Sequence, residues 1–247
     1  MYVRPVKLHA LIPPHDDLLA AIFHSDLRLR EGDVLAVASK VVSIHEGLCL
    51  PVEANDKKAL ARKESSLFLP NARAAGRNVF HTIARGVLIR NAGIDESNGK
   101  GHYILWPKNP DASASRLRRA LKLHFRLKHL GVIITDSTST PLRRGAIGFA
   151  LGYSGFQPLY DYRGLPDIFG RRLKMEQANL ADALAAAAVL VMGEGNEQTP
   201  LAVIREVPKT IWQGRRTRRG WSEFRVSLKD DIFAPFWRRV RWKKGGE

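Results

Sequence analysis

Apolar residues along this chain fall into short runs, most of them stopped by prolines, glycines or a cluster of polar side chains. Residues 3–12 predict a first strand, closed by Pro13-Pro14. Asp16-Asp17 then predict the cap of a short helix, LLAAIF, with acids where the helix dipole favours them. Gly32-Asp33 marks a turn. Residues 34–38 predict a buried strand that ends at Ser39-Lys40, with Val41-Val42-Ser43 continuing it into His45-Glu46-Gly47. Residues 55–71 read as a weakly patterned helix, and 78–83 and 86–90 as two short strands paired in a hairpin. Asp111 or Ser113 predicts the cap of a helix running to about residue 128, with Leu117, Ala120, Leu121 and Phe125 as its apolar stripe. Residues 132–134 are β-branched, typical of a buried strand, and the run stops at Asp136. Residues 175–192 predict the strongest helix, alanine-rich, with Leu180, Leu184, Ala188 and Val191 along one side. Residues 201–205 predict a last core strand.

Composition changes this picture mainly through charge. The 247 residues are 45% hydrophobic, an ordinary globular share, but carry 40 Lys and Arg against 24 Asp and Glu, a formal charge of +16. Such a balance attracts polyanions: nucleic acid, acidic surfaces, phosphorylated ligands or acidic peptides. The excess is concentrated in residues 205–247, where 13 basic residues meet 5 acidic ones and four of the five tryptophans lie (Trp212, Trp221, Trp237, Trp242). Basic residues interleaved with aromatics can bind nucleic acid, or the tryptophans can pack this tail on the body with the arginines in water. The domain reading is a body over residues 1–207 and a basic, Trp-rich extension over 208–247, packed on it.

Cys49 is the single cysteine, which excludes an intrachain disulfide and a cysteine metal cluster. The N-terminus lacks a long apolar core, and the longest uncharged apolar run, residues 183–192, falls short of the ~20 residues that span a bilayer. The expectation is a cytoplasmic protein with no membrane partner. A Walker P-loop, a strand-borne G-x-G-x-x-G, a serine nucleophile elbow and zinc spacings are all absent.

Candidate chemistry sits at polar strand ends. Asp136 is followed by Ser137, Thr138, Ser139 and Thr140, then by Arg143-Arg144. Carboxylate and hydroxyl are hard oxygen ligands and paired guanidiniums fork onto anions, which suits a metal-assisted phosphate or carboxylate site; a solvated polar turn is the plain alternative. Ser39-Lys40 ends another strand. In the turn-rich segment 91–99, Asp95 and Asn98 stand about one helical turn apart, able to face one ligand or to bond their own backbone. Gly193-Glu194-Gly195-Asn196 is a helix stop that can also approach phosphates closely.

Together these places resemble the coenzyme F-420 γ-glutamyl ligase family. The likeness covers about residues 3–205 and rests on GDVLAVASKVVS…EG (32–47), NAGIDESN (91–98), PDASA (110–114), GVIITDS…RRGAIGFALGYSG (131–155), DIFGRRL (167–173) and ADALAAAAVLVMGEG (181–195). The resemblance implies an α+β fold with a mixed sheet, forming an intertwined homodimer. It implies a glutamate ligase using GTP or ATP and Mg²⁺ or Mn²⁺, which phosphorylates an acceptor carboxylate and lets the amine of L-glutamate attack the acyl phosphate.

Carried over by position, Asp95, Asp136, Ser137 and Glu194 would hold metal. Leu11, Ile12, Ser39, Lys40, Asn98 and residues Met192, Gly193, Glu194, Gly195 and Asn196 would contact the nucleotide. Asp136 would be the catalytic carboxylate, and Arg143 and Arg144 would meet anionic groups of the acceptor. Three features depart from the family pattern. Ile44 replaces the lysine of its SK-x-EG, a loss for which neighbouring Lys40 could substitute. Asp136-Ser137-Thr138-Ser139-Thr140 replaces D-T-x-G-R, and the basic tail has no recognised counterpart. The acceptor therefore stays open between the deazaflavin coenzyme, folate, and glutamate or peptide ends with α-linked addition. The rival class is a non-catalytic protein on this fold that binds RNA or an acidic partner.

Overall fold

A computed structural model describes residues 1–74, 77–208, 212 and 225–246. In chain order they form β1 (Tyr2–Val6), α1 (Leu18–Phe23), β2 (Val34–Ala38), α2 (Ser39–His45), β3 (Cys49–Pro51), α3 (Lys57–Glu64), β4 (Leu67–Ala74), β5 (Arg77–Ala84), β6 (Val87–Arg90) and β7 (His102–Ile104). There follow α4 (Pro110–Phe125), β8 (Gly131–Thr138), β9 (Ile147–Ser154), β10 (Leu159–Asp161), β11 (Gln177–Asn179), α5 (Leu180–Met192), β12 (Leu201–Arg205), α6 (Ala234–Trp237) and β13 (Lys243–Lys244). Two compact units are built from them. One takes Met1–Ala10, Asp17–Val42 and Lys108–Phe224, the other Leu11–Asp16, Ser43–Pro107 and Arg225–Glu247.

The first unit holds a five-stranded sheet in the order β1-β12-β2-β8-β9. Only β2 and β8 run parallel; the other neighbours are antiparallel, so the sheet is mixed. Its central strands are apolar throughout because both faces are covered, and Val34 to Val37 and Val132 to Ile134 are almost without solvent exposure. Helix α5 covers one face through Ala181, Leu184, Ala185, Ala188 and Met192. Its alanines let β9 come close: a Cβ on Gly148 would overlap the Val189 side chain and the Ala185 carbonyl. Leu151 is the extra residue of a bulge in β9, between the pairs Ile134–Gly152 and Thr135–Ala150. Carboxylates then take up amides of this edge strand, Asp182 that of Ala150 at 2.8 Å and Asp111 that of Tyr153 at 2.9 Å.

The second unit pairs β13-β4-β5-β6 in an antiparallel sheet and β3 with β7 in a ribbon. The C-terminal segment thus supplies a strand, Lys243 opposite Phe68. Of the four tail tryptophans, Trp221 lies outside the described residues. In both units, the described residues contain no helix long and apolar enough to cross a membrane.

Several local expectations change. Residues 39–45 form helix α2, not a strand extension, because Val41, Val42 and Ile44 bury better on one helical side than in a sheet with no further partner. The helix expected over 55–71 stops at Glu64, and Leu67 onwards joins β4, whose ladder partner β5 overrides weak helical patterning. Residues 177–179 pair with β10, so the alanine-rich helix starts at Leu180. The α4 cap is Asn109, whose side chain accepts the Ala112 amide, while Asp111 serves β9 instead. Strand β8 runs on through Asp136 to Thr138. The hairpin of β5 and β6 and the strand β12 stand as expected.

Candidate active site

Parallel register builds the centre of the site. Ala38, the last residue of β2, lies opposite Thr135 of β8, so the next residues of each chain, Ser39 and Asp136, leave the core side by side. The Ser39 hydroxyl donates to Asp136 Oδ2 at 3.1 Å. The Ser137 amide donates to Asp136 Oδ1 at 2.7 Å. Ser137 Oγ donates to Glu194 Oε2 at 3.1 Å, which ties the strand to the loop after α5. Burial falls at this point of β8: Thr135 is buried, while Asp136 and Ser137 are half-buried. Polar groups therefore begin where solvent and ligands gain access. Lys40 follows Ser39 at the start of α2, half-buried.

The loop after α5 is shaped by its glycines. Gly193 closes the helix at φ +79°, and Thr199 Oγ1 donates to the Met192 carbonyl at 2.5 Å. The Glu197 carboxylate turns into this loop: it accepts the Gly195 amide at 2.9 Å and occupies the space a Cβ on Gly193 would need. An anionic group already sits against the amide of a glycine loop expected to approach phosphates. Sequence reasoning missed Glu197; its signal was an acid two residues after Gly195. Glu194 and Asn196 are exposed beside it.

Arg143 and Arg144 lie in the exposed turn between β8 and β9, with Arg143 Nη1 donating to the Leu142 carbonyl at 3.1 Å. Both are exposed, and among the described residues no ion pair or hydrogen bond reaches them from across the sheet.

The remaining candidates belong to the second unit. Asp95 Oδ1 accepts the amides of Glu96 at 2.6 Å and Ser97 at 2.9 Å, and Ser97 Oγ donates to Oδ2 at 2.8 Å. This is the self-bonded turn the sequence left open, with Asn98 exposed at φ +54°. Thr82 fixes the segment from below: its buried hydroxyl donates to the Ile89 carbonyl at 2.7 Å and accepts the Ala92 amide at 2.8 Å. Leu11 is buried and Ile12 exposed, with the Ile12 amide on Asp16 Oδ2 at 3.0 Å. Ile44, at the family's lysine position, is core.

Among the described residues no three His, Cys, Asp or Glu side chains come together as a metal cage. The donors of the first unit are instead two carboxylates, Asp136 and Glu194, linked through Ser137, whose amide donates to Asp136 and whose hydroxyl donates to Glu194. That set fits a Mg²⁺-type ion, which takes one or two carboxylates and fills its sphere with water and substrate phosphate. It does not fit a dedicated all-protein site.

Hydroxyls and carboxylates gather at the carboxyl ends of the parallel strands of this mixed α/β sheet, the end at which sheets of this class commonly carry their ligand sites. The chain belongs to the F420-0:gamma-glutamyl ligase family, whose model matches residues 8–206. It is 39% identical over 243 residues to the coenzyme F420:L-glutamate ligase of Methanopyrus kandleri, covering 92% of this chain and 96% of that one. The enzymes of the same name from Methanocaldococcus jannaschii and Archaeoglobus fulgidus are both 37% identical, over 204 and 217 residues, covering 76% and 82% of this chain and 81% and 86% of theirs. A match over 92% of the chain is longer than residues 1–207, so it reaches into the basic C-terminal segment. At least the beginning of that segment is therefore aligned with a relative, while the family model itself stops at residue 206.

Proposed function

We propose that this protein joins L-glutamate to a carboxylate of a deazaflavin coenzyme acceptor, driven by GTP or ATP with Mg²⁺ or Mn²⁺. The single observation that carries the reading is the Ser39–Asp136 and Ser137–Glu194 arrangement at the sheet end, in a chain of this family. The relatives' names supply glutamate and the acceptor.

In this reading an acceptor carboxylate oxygen attacks the terminal phosphorus of the nucleotide and the nucleoside diphosphate leaves. The glutamate nitrogen then attacks the acyl carbon, inorganic phosphate departs, and the amine loses a proton to give the amide. A divalent ion, when bound, supplies positive charge to the transferring phosphoryl group. Asp136, Ser137 and Glu194 would hold it in the first unit, and Asp95 of the second unit is a separate candidate metal ligand. Ser39 orients Asp136. The Gly193 to Gly195 backbone is a phosphate cradle in which Glu197 would yield to the nucleotide. Leu11, Ile12, Lys40 and Asn98 would be nucleotide contacts, and Arg143 and Arg144, exposed in their turn, would meet the acceptor's anionic groups. The working form would be a homodimer, supported by Ile168 and Phe169, which are 90% and 89% exposed in the connection between β10 and β11.

Mass spectrometry of reactions with nucleotide, metal, glutamate and a panel of acceptors tests this. A glutamate-sized step on the deazaflavin coenzyme is expected. A step on folate or a glutamate-ended peptide alone would replace the acceptor. No step and no nucleotide consumed would sink the ligase reading in favour of a binding protein. Light scattering checks the dimer.

A further inference from the structure

The end of the first unit's sheet that carries Asp136 carries a second polar site. Strand β12 starts there, Leu201 opposite Val37 of β2, and β1 finishes there, Val6 opposite Leu201. The chain leaving β1 and the chain entering β12 therefore meet at the same sheet end as Ser39 and Asp136. They are tied together where the Leu8 amide donates to the Gln198 carbonyl at 3.0 Å. Gln198 holds φ +58°, an uncommon backbone state for a residue other than glycine. It lies four residues beyond Glu194 in the same connection.

Between these chains and the end of α1 opens a cleft of about 300 Å³, with Lys7, His9, His24, Asp26 and Gln198 on its walls and buried Leu8 among them. That is the small end of ligand sites, suited to an amino acid rather than a nucleotide. Its polar groups are mixed in a particular ratio: one lysine and two histidine rings able to donate, against one carboxylate. Among the described residues the side chains of Lys7, His9 and Asp26 make no ion pair or hydrogen bond, so a ligand need displace no protein partner. His24 is oriented by its Nδ1 contact to the Ala20 carbonyl at 2.8 Å, which leaves Nε2 to meet a ligand.

A ligand complementary to this wall has two carboxylates and one ammonium. A polyphosphate would face the Asp26 carboxylate, and a diamine would face Lys7. We propose that this cleft is the binding site for the α-amino dicarboxylate co-substrate, L-glutamate. Its carboxylates meet Lys7, His9 and His24, and its ammonium meets Asp26. The assignment rests on the ligase reading for its choice of amino acid, and on the cleft itself for the chemical class.

The test uses the full chain and two charge reversals, Lys7→Glu and Asp26→Lys, with steady-state kinetics and calorimetry. The KM for glutamate should rise about tenfold or more in each, the scale of one lost charge-assisted contact. The KM for the nucleotide and kcat at saturating glutamate should stay within about twofold, since neither residue touches the phosphates in this assignment. In calorimetry glutarate, which lacks the ammonium, should bind wild type about tenfold more weakly than glutamate, and Asp26→Asn should erase that difference. An unchanged glutamate KM overturns the site, as does a parallel rise in both KM values. If wild type makes no amide at all, the ligase reading fails, and calorimetry decides the cleft separately. Glutamate binding lost in Asp26→Lys would uphold it, and binding retained there, or absent from wild type, would overturn it.

Discussion

Asp136 and Asp95 are both acids that the sequence marks for metal, and the chain holds them in different ways. Asp136 is reached by a hydroxyl 97 residues away, and its neighbour Ser137 reaches a carboxylate 57 residues on. Asp95 accepts hydrogen bonds from each of the next two residues. The first geometry exists only when β2, β8 and the α5 loop are assembled, so it is set by the fold. The second exists in any chain that forms that turn. Asp136 also accepts the amide of its neighbour Ser137, but its other oxygen is placed by a distant element, whereas both oxygens of Asp95 are engaged by its own turn, which coordination would weaken.

The largest effect that can break this contrast is at Asp136. Asp136→Asn keeps an oxygen for the Ser137 amide, presents its NH2 to the Ser39 hydroxyl, which can turn to accept from it, and removes the charge. Turnover should fall about a thousandfold with the circular dichroism spectrum unchanged. Activity within tenfold of wild type would strip the first unit's site of its role. At Asp95 the corresponding Asn retains the turn, because an asparagine side chain accepts the same backbone amides. If Asp95 also serves the ion, Asp95→Asn should lose about a hundredfold in turnover and raise the metal concentration for half-maximal rate, with melting unchanged. Wild-type kinetics in that variant would leave Asp95 a turn former, and the contrast would become one of function as well as geometry.

The same contrast explains what was legible in the sequence. Asp136 after a β-branched run, and Asp95 within a turn-rich segment, are local patterns, and both were readable as candidates. The Ser39–Asp136 contact was not, because it follows from the parallel register of two strands almost a hundred residues apart. The fold divides likewise. Strands β2 and β12, helix α4 and the β5–β6 hairpin carry their own period and turn signals. Residues 39–45 and 67–71 went the wrong way because the deciding partner lies elsewhere. Val41 and Val42 are β-branched yet find burial on a helix, and Leu67 to Leu69 look helical yet find a ladder on β5. Glu197 was missed because an acid two residues after Gly195 gains its importance only from how the Gly193 loop folds around it.

A smaller effect sharpens the comparison from below the second loop. Thr82 is fully buried, and its hydroxyl is what the Ala92 amide bonds to. Thr82→Val keeps the shape and strands that amide, which is buried with Ala92. Denaturant unfolding should show a loss of about 2 kcal/mol, the cost of an unsatisfied buried donor. Hydrogen exchange should quicken at residues 91–98 and not at 131–138. Equal quickening at both would show that the two sites are not held independently.

The smallest expected effect concerns pH and separates the two regions without touching either carboxylate. His81 sits on β5, opposite Arg90 at the end of the strand that leads into the Asp95 segment. Burial, and then the Arg90 charge, push its pKa below the ordinary histidine value of 6.5, and its Nδ1 has no hydrogen-bond partner. The folded chain therefore binds its proton less readily than the unfolded chain. Above pH 6.5 both states are neutral and His81 contributes nothing to the pH dependence. As pH falls below 6.5 the unfolded state gains its proton first, so stability is lost until the folded pKa is reached. His81→Leu should flatten the fall in melting temperature between about pH 7 and pH 5. In wild type, acid should speed exchange at residues 89–92 before it does so at 131–138. Slopes that match between wild type and variant would mean that another group sets the acid response, and that the second loop is no more acid-sensitive than the strand end that carries Asp136.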